Sequence, residues 1–427
     1  MTDLASAMPP QRILLSAYSC APNRGSEPGV GWNWALVLAQ QGHQVWVLTR
    51  ENNRRAIEHE LARAPHDTAR LQFLFYDLPP WARWWKRDGR AVHAYYALWQ
   101  RCILGVARAA HAKHRFDLVH HITFGVWRQP SLLHRLGIPF VFGPVGGGEM
   151  APWALERGQS VKLLAVAALR ATANWASLLN PWLRASLRRA SLVVAKTPET
   201  AAWIARAGVP CATALEIGID AAAIQPRSDP NDAPRGPLRC MFAGRLIGMK
   251  GVDLALQAVA KARARGADVT LTIVGRGPLQ QRLGERAAAL GVESSIAFID
   301  WLSQPALFEQ YRRHDVLLFP SLHDSSGNVV LEAFAHGLPV VCLALGGPGV
   351  MVDPSCGVAV AVHGLSRDEV STALAQVLVE FAQDRTRVGR LARAARARAL
   401  ACTWQAAVRQ TYARVAAVDG VDRRADA

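Results

Sequence analysis

The stretch Phe242-Ala-Gly244-Arg245-Leu-Ile-Gly248-Met-Lys250-Gly251 follows a short apolar run and precedes a long alanine-rich one. This order predicts a strand, a glycine-rich loop and a helix that begins near Val252. Glycine lets a backbone approach a ligand closely, and the N-terminus of a helix favours an anion. Arg245 and Lys250 place two cations at the same loop, which suits a diphosphate. The alternative is an ordinary helix entry whose charges are solvated.

Short apolar runs alternate with longer helical patterns on both sides of this stretch. The predicted strands are Ile13–Ala17, Val45–Thr49, Leu118–His121, Phe140–Phe142, Cys240–Ala243, Val269–Val274, Ser295–Ile299 and Val316–Phe319. Strand, loop and helix at this spacing predict doubly wound parallel sheets, the α/β class. A proline-rich polar segment interrupts the pattern. We predict one Rossmann-like domain over 1–220, a linker over 221–237, a second such domain over 238–400, and a C-terminal helix over 401–427 that packs back towards the first domain.

The composition limits the classes of partner. The 427 residues carry 49 Lys and Arg against 33 Asp and Glu, a net charge of +16. Hydrophobic residues form 51% of the chain, which supports a large core and excludes wholesale disorder. The excess charge indicates a polyanionic partner, either nucleic acid, an anionic membrane or a phosphorylated substrate.

The stretch from Trp81 to Arg115 concentrates this charge, with eight basic side chains and one acid, Asp88. It begins with Trp81, Trp84 and Trp85, and tryptophan beside Arg and Lys suits an anionic membrane surface. The alternative is a solvated basic helix whose tryptophans dock in the core. Nucleic acid is disfavoured, because the aromatic and basic residues form no recognisable binding module.

The sequence carries little indication of secretion or of a membrane-spanning helix. The first ten residues contain an acid and two prolines, unlike a secretory signal. Apolar runs stay below the roughly 18 residues that a spanning helix needs. The seven scattered cysteines include no Cys-x-x-Cys pair, which argues for a reducing compartment and against structural zinc. We expect a cytoplasmic protein. The alternative is a peripheral protein on the inner face of the cytoplasmic membrane.

Two more glycine-rich loops follow predicted strands. Gly275 lies in the first, after Val269–Val274. In the second, Asp324 lies in the loop and Glu332 one turn into the next helix, where both acids would accept hydrogen bonds from sugar and ribose hydroxyls. The backbone N–H groups at this helix start can hold anionic oxygens; they belong to Ser326, Gly327, Asn328 and Val329.

These motifs resemble the retaining GT-B glycosyltransferases of family 4, which use nucleotide sugars and have two Rossmann-like domains facing a central cleft. The resemblance runs from Ser19 to the final helix. It implies that Arg245 and Lys250 bind the donor diphosphate, beside Gly244 and Gly275. The family's Glu–seven residues–Glu signature falls on Asp324 and Glu332, the first for the donor sugar and the second for the ribose; the first acid is one methylene shorter here.

The first half carries matching features. Gly25 lies in the family's glycine loop after the first strand. His121, or in an alternative register His120, matches the active-site histidine at a strand end. Glu27 lies in the same loop as Gly25. Gly147 and Glu149 lie in a Gly-Gly-Gly-Glu run that resembles transferases building bacterial exopolysaccharide, so the resemblance implies that these three residues are on the acceptor side.

We expect the protein to transfer the sugar of a UDP- or GDP-sugar to a glycan or polyprenyl-diphosphate-linked acceptor. The anomeric configuration of the sugar would be retained. We expect no metal and no cofactor, because the sequence has no Asp-x-Asp and the cations and helix N-termini can stabilise the leaving diphosphate. The alternatives are a GT-B sugar-nucleotide epimerase or hydrolase, and, in another class, a basic nucleic-acid-binding protein. A dehydrogenase is disfavoured, because the first loop lacks Gly-x-Gly-x-x-Gly.

Overall fold

The computed structural model describes residues 9–64, 68–82, 92–156, 161–224 and 236–425, without the side chains of 161–163 and 419–425. Trp84, Trp85 and most of the predicted linker lie outside the described residues. The chain forms two compact units. The first contains the residues up to Gly148, then Ala173–Ile217 and the residues from Trp404; the second contains Glu149–Thr172 and Gly218–Thr403.

The first unit is built on a parallel seven-stranded sheet. Its strands are β1 (Arg12–Ala17), β2 (Gln44–Thr49), β3 (Leu71–Phe75), β4 (Leu118–Thr123), β5 (Phe140–Val145), β6 (Leu192–Ala195) and β7 (Ala212–Thr213), in the order β3-β2-β1-β4-β5-β6-β7. The strands pair in parallel throughout. Ile13, Leu14 and Leu15 are fully buried, because a parallel strand is covered on both faces and therefore has no polar alternate positions.

The second unit repeats the arrangement with six parallel strands. They are β8 (Leu238–Ala243), β9 (Val269–Val274), β10 (Ile296–Ile299), β11 (Val316–Phe319), β12 (Val340–Leu343) and β13 (Gly357–Val360), in the order β10-β9-β8-β11-β12-β13. Phe242 and Phe319, on the adjacent strands β8 and β11, stack with ring centres 5.8 Å apart in the core. The predicted α/β class with two Rossmann-like sheets is confirmed.

Helices connect the strands in both units. They are α1 (Ser26–Gln40), α2 (Arg54–Arg63), α3 (Val92–His114), α4 (Trp153–Glu156), α5 (Val161–Leu178), α6 (Pro181–Arg188), α7 (Pro198–Arg206), α8 (Val252–Ala264), α9 (Gln280–Ala289), α10 (Gln304–Arg313), α11 (Asn328–Ala335), α12 (Gly346–Met351), α13 (Arg367–Gln383), α14 (Arg385–Ala401) and α15 (Trp404–Ala425). None of them, over the described residues, is long and apolar enough to cross a membrane.

Each sheet reverses its strand order at one point, between β1 and β4 in the first unit and between β8 and β11 in the second. Open parallel sheets bind ligands outside the carboxyl ends of the strands at such a point. The loop that contains Gly25 follows β1, and the loop that contains Gly244 follows β8. Both predicted glycine loops therefore lie at the position in their sheet where a ligand site is expected.

Candidate functional site

The glycine loops after β8 and β9 run directly against each other. The Gly244 N–H donates to the Val274 carbonyl over 3.0 Å, and the Gly275 N–H donates to the Ile299 carbonyl over 2.9 Å. Gly275 has a φ of +143°, and a Cβ there would collide with the Gly244 carbonyl oxygen. Only glycine fits this approach, so the loops present backbone rather than side chains at the carboxyl end of the sheet.

Lys250 closes the loop after β8 just before α8 begins. Its Nζ lies 2.6 Å from Asp324 Oδ2 and 5.4 Å from the centre of the Phe319 ring. Both members of the ion pair are mostly buried, with side-chain exposures of 20% and 16%. An ammonium group has three donors, so Asp324 fixes its position and leaves it able to bind a second anion. Arg245, in the same loop, is exposed to solvent.

Asp324 organises the loop between β11 and α11. Its Oδ1 accepts hydrogen bonds from the N–H groups of Ser326 at 3.2 Å and Gly327 at 2.8 Å. These two predicted anion-binding N–H groups are therefore used within the loop. The N–H groups of Asn328 and Val329, in the first turn of α11, have no acceptor inside the helix. They are the donors that this helix start offers to an anionic oxygen.

Glu332 lies in α11 and accepts a hydrogen bond from the Tyr311 hydroxyl of α10 at 3.1 Å. Burial raises the pKa of Glu332 to about 7, and the hydrogen bond from Tyr311 opposes that shift. Burial also raises the pKa of Tyr311 far above its usual value, so Tyr311 is a donor at neutral pH. A carboxyl group with a pKa near 7 is partly protonated at neutral pH, so it can either donate or accept a hydrogen bond there.

Glu149 lies in the second unit, although the sequence predicted it within the first domain. It is buried, and its Cγ is 3.7 Å from the point where a Cβ on Gly346 would lie. The next residue, Gly347, donates its N–H to the Asp324 carbonyl over 2.8 Å. The buried carboxylate of Glu149 is thereby beside the loop that holds the Lys250–Asp324 pair.

A series of three hydrogen-bonded side chains next to the loop that contains Asp324 was not predicted. Arg170 NH1 donates to His323 Nδ1 over 2.8 Å, and His323 Nε2 lies 2.7 Å from Glu156 Oε1. Arginine only donates, so Nδ1 of His323 must accept and Nε2 must carry the proton that bonds to Glu156. This series fixes the tautomer of His323 and the course of the backbone next to Asp324. It escaped prediction because the three residues are spread over more than 160 positions of sequence.

The predicted histidines of the first unit lie inside its core. His121 is fully buried in β4, with Nε2 3.2 Å from the Tyr96 hydroxyl and its ring stacked on Phe142. Burial lowers the pKa of His121 to about 3 and that of His120 to about 4. His120 bonds instead to the Gly143 carbonyl and to the Tyr412 hydroxyl. The two rings have different partners and are both neutral at physiological pH, and the active-site role of His121 stays a prediction.

The loops around β1 and β4 are tied together by polar contacts. Glu27, at the start of α1, accepts the Gly125 N–H over 3.1 Å. Thr123, the last residue of β4, accepts the Ser19 N–H and donates to its carbonyl. Gly25, in the loop after β1, has nothing within 4 Å of an added Cβ. This part of the first unit therefore brings Gly25 and Glu27 to the carboxyl ends of β1 and β4.

Two other side chains of this unit lie in the same region. Arg128 donates to the Gly147 carbonyl and, over 2.6 Å, to Asn174 Oδ1, which fixes the predicted acceptor-side glycine. Lys196 follows β6 and forms a buried ion pair with Glu216. The sequence analysis missed this pair, because a single lysine after a strand carries no motif.

Over the described residues no group of three or more His, Cys, Asp or Glu side chains is placed to hold a metal ion.

Two family comparisons cover most of the chain. Residues 32–222 match Glycosyltransferase Family 4, and residues 237–384 match Glycosyl transferases group 1. Glycogen synthase of Mycobacterium tuberculosis is 32% identical over 192 residues, which are 44% of this chain and 43% of that protein. The chain spans less than half the length of the curated relatives that it matches.

Solved structures show the same fold at low identity. HepE of Anabaena in complex with UDP has a TM-score of 0.60 at 17% identity, over 95% of this chain and 99% of HepE. Sucrose-phosphate synthase from Thermosynechococcus elongatus has a TM-score of 0.63 at 18% identity, over 96% and 100%. The chain has the GT-B fold and belongs to the glycosyltransferases of group 1 and family 4.

Proposed function

We propose that this protein transfers a sugar from a UDP- or GDP-sugar to a glycan or lipid-linked acceptor in bacterial polysaccharide biosynthesis, with retention of the anomeric configuration. The observation that carries the proposal is the Lys250–Asp324 pair, at 2.6 Å, beside the N-terminus of α11. Two family matches to glycosyltransferases support it, as does the UDP present in the HepE complex.

The donor diphosphate would be bound by three kinds of donor in the second unit. Lys250 is held in place by Asp324, Arg245 is exposed on the same loop, and the first-turn N–H groups of α11 belong to Asn328 and Val329. The glycine loops at Gly244 and Gly275 let backbone approach the phosphates. Cations and aligned N–H groups stabilise negative charge that develops on a leaving diphosphate, and they require no reorganisation to do so.

The remaining acids would bind the hydroxyl groups of the donor. We propose that Asp324 binds the sugar, that Glu332 binds the ribose, and that Glu149 lies on the acceptor side. We propose retention because the motifs resemble those of retaining family 4 enzymes, in which the leaving phosphate itself helps to remove the acceptor proton. We propose that these side chains replace a metal ion, so that no cofactor is required.

The acceptor and the compartment are part of the proposal. We assign the acceptor to the first unit, near Glu27 and Gly147, where hydrogen bonds of Ser19 and Glu27 tie the loop after β1 and the start of α1 to the end of β4 and the loop after it. A polyprenyl-diphosphate-linked glycan would place the reaction at the cytoplasmic face of a membrane.

The deciding experiment measures donor consumption with and without acceptor. Purified protein is incubated with UDP- and GDP-sugars, alone and with lipid-linked glycan acceptors, in the presence of EDTA. Acceptor-dependent release of the nucleoside diphosphate is expected. Consumption that is independent of acceptor would instead establish the hydrolase or epimerase alternative, and dependence on added divalent metal would contradict the metal-free mechanism.

A further inference from the structure

An apolar surface of the first unit faces solvent at the junction of α5 and α6. Trp175, Leu179 and Trp182 are 59%, 80% and 44% exposed. In contrast, Leu183 and Leu187 of α6 are almost completely buried. The inner face of α6 is therefore already covered by protein. Trp175, Leu179 and Trp182 point outward and either bind another partner or remain in contact with water.

A cavity of about 310 Å³ opens at the same place, lined by Leu179, Pro181, Arg184, Ala185 and Arg188. It combines two guanidinium groups with apolar side chains and has no acid in its lining. Arginine binds phosphate oxygens in a bidentate geometry, and the apolar lining suits the carbon atoms next to the phosphate. The cavity therefore fits the headgroup of a phospholipid.

The charge of helix α3 and of residues 173–190 has one sign. Helix α3 and residues 173–190 together contain six Lys or Arg and no Asp or Glu. The Arg101 guanidinium of α3 lies 4.1 Å from the centre of the Trp182 ring. This contact joins the basic helix α3 to the exposed tryptophan, so that the Arg101 cation and the Trp182 indole share one surface. Tryptophan with Arg and Lys is the pattern that binds the headgroup region of an anionic bilayer.

We propose that Trp175, Leu179, Trp182, Arg184 and Arg188, called here the Trp–Arg surface, dock the protein on an anionic phospholipid bilayer. The indoles and Leu179 enter the headgroup region, and the two arginines bind lipid phosphates. This goes beyond the proposed function, which places the reaction at a membrane but assigns no residue to membrane contact. The membrane contact predicted over Trp81–Arg115 stays a prediction, because Trp99 is fully buried, Trp81 is 76% exposed, and Trp84 and Trp85 lie outside the described residues.

The test is sedimentation of the full chain with vesicles, without nucleotide or acceptor, so that its outcome is independent of sugar transfer. We expect binding to vesicles that contain phosphatidylglycerol, weak binding to pure phosphatidylcholine, and release by high salt. Trp182→Ser combined with Leu179→Asn should weaken binding about tenfold. Arg184→Gln and Arg188→Gln should each weaken it about fivefold.

Matched controls come from the second unit. Trp301 is 69% exposed there, and Trp301→Ser should bind vesicles as the wild type does. Arg282→Gln combined with Arg286→Gln on α9 controls for loss of charge. Unchanged melting temperatures confirm that the variants are folded.

Three outcomes would overturn the proposal. These are equal binding of the wild type to neutral and anionic vesicles, wild-type affinity in the Trp–Arg variants, and a dimer that Trp182→Ser converts to a monomer. The last result would assign the surface to a second copy of the chain.

Discussion

The two units have the same sheet topology but use the carboxyl ends of their strands differently. In the second unit, Lys250, Asp324 and the start of α11 form a polar cluster beside two loops that only glycine can build. In the first unit, the histidines of β4 are buried and hydrogen-bonded to tyrosines of the core. The charged glycine loops of the second unit thus present their polar groups at the strand ends, whereas the polar residues within β4 are enclosed by the core.

The physical reason is that strand residues alternate between the two faces of a sheet, and both faces of a parallel sheet are buried. A histidine inside such a strand must therefore find core partners whichever way it points. Residues in the loop after the strand are free of this constraint. The following predictions, ordered by the size of the expected effect, test this contrast.

Lys250→Ala should have the largest effect. It removes the cation that Asp324 holds next to the proposed diphosphate, so we expect transfer to fall by about a thousandfold. Single-turnover assays with saturating donor measure it, and circular dichroism confirms the fold. Turnover within about tenfold of wild type would contradict the role of this lysine.

Gly275→Ala should unfold or strongly destabilise the second unit. The new Cβ meets the Gly244 carbonyl, and the φ of +143° is unfavourable for alanine. We expect a loss of about 3 kcal/mol or more in the free energy of unfolding. Urea titration followed by circular dichroism measures it, and a loss below about 1 kcal/mol would show that the two loops separate easily.

Glu332 should make stability depend on pH. Its pKa rises from 4.5 unfolded to about 7 folded, so the folded state binds its proton more tightly. The resulting stabilisation is complete below pH 4.5 and is lost as the pH rises through 7. Relative to Glu332→Gln, the wild type should lose about 1–3 kcal/mol between about pH 5 and pH 8. Parallel pH profiles for the two proteins would refute the raised pKa.

His121→Phe should mainly reduce stability. The phenylalanine keeps the stacking on Phe142 but leaves the Tyr96 hydroxyl without its imidazole partner, at a cost of about 1–2 kcal/mol. Thermal melting measures the cost, and turnover is compared per folded molecule. A fall of more than about a hundredfold in turnover at an unchanged melting temperature would establish the predicted active-site role instead.

Gly25→Ala should change stability least. The backbone φ of −76° suits alanine, and nothing lies within 4 Å of the new Cβ. We expect the free energy of unfolding to change by less than about 0.5 kcal/mol. Because the fold is unaffected, any weaker binding of donor or acceptor would then report a ligand close to this loop. A large drop in melting temperature would show that the loop is more tightly packed.

Of the thirteen strands that the described residues form, the sequence predicted eight, together with the glycine loops after β1 and β8, because runs such as Ile13–Ala17 are apolar and precede a glycine-containing loop. It missed β3, β6, β7, β12 and β13, and β7 is only two residues long. Contacts between residues that are distant in the sequence could not be predicted. The placement of Glu149 beside Gly346 and the chain Arg170–His323–Glu156 depend on tertiary packing and leave no local pattern.

The most direct test of the central claim is calorimetric titration of UDP and GDP, and of uridine and guanosine, into the wild type and Lys250→Ala. We expect one diphosphate to bind the wild type at least about a hundredfold more tightly than its nucleoside. Lys250→Ala should lose most of that difference. Equal affinities for diphosphate and nucleoside, or a difference that survives in Lys250→Ala, would contradict the assignment of the second unit as the nucleotide-sugar site.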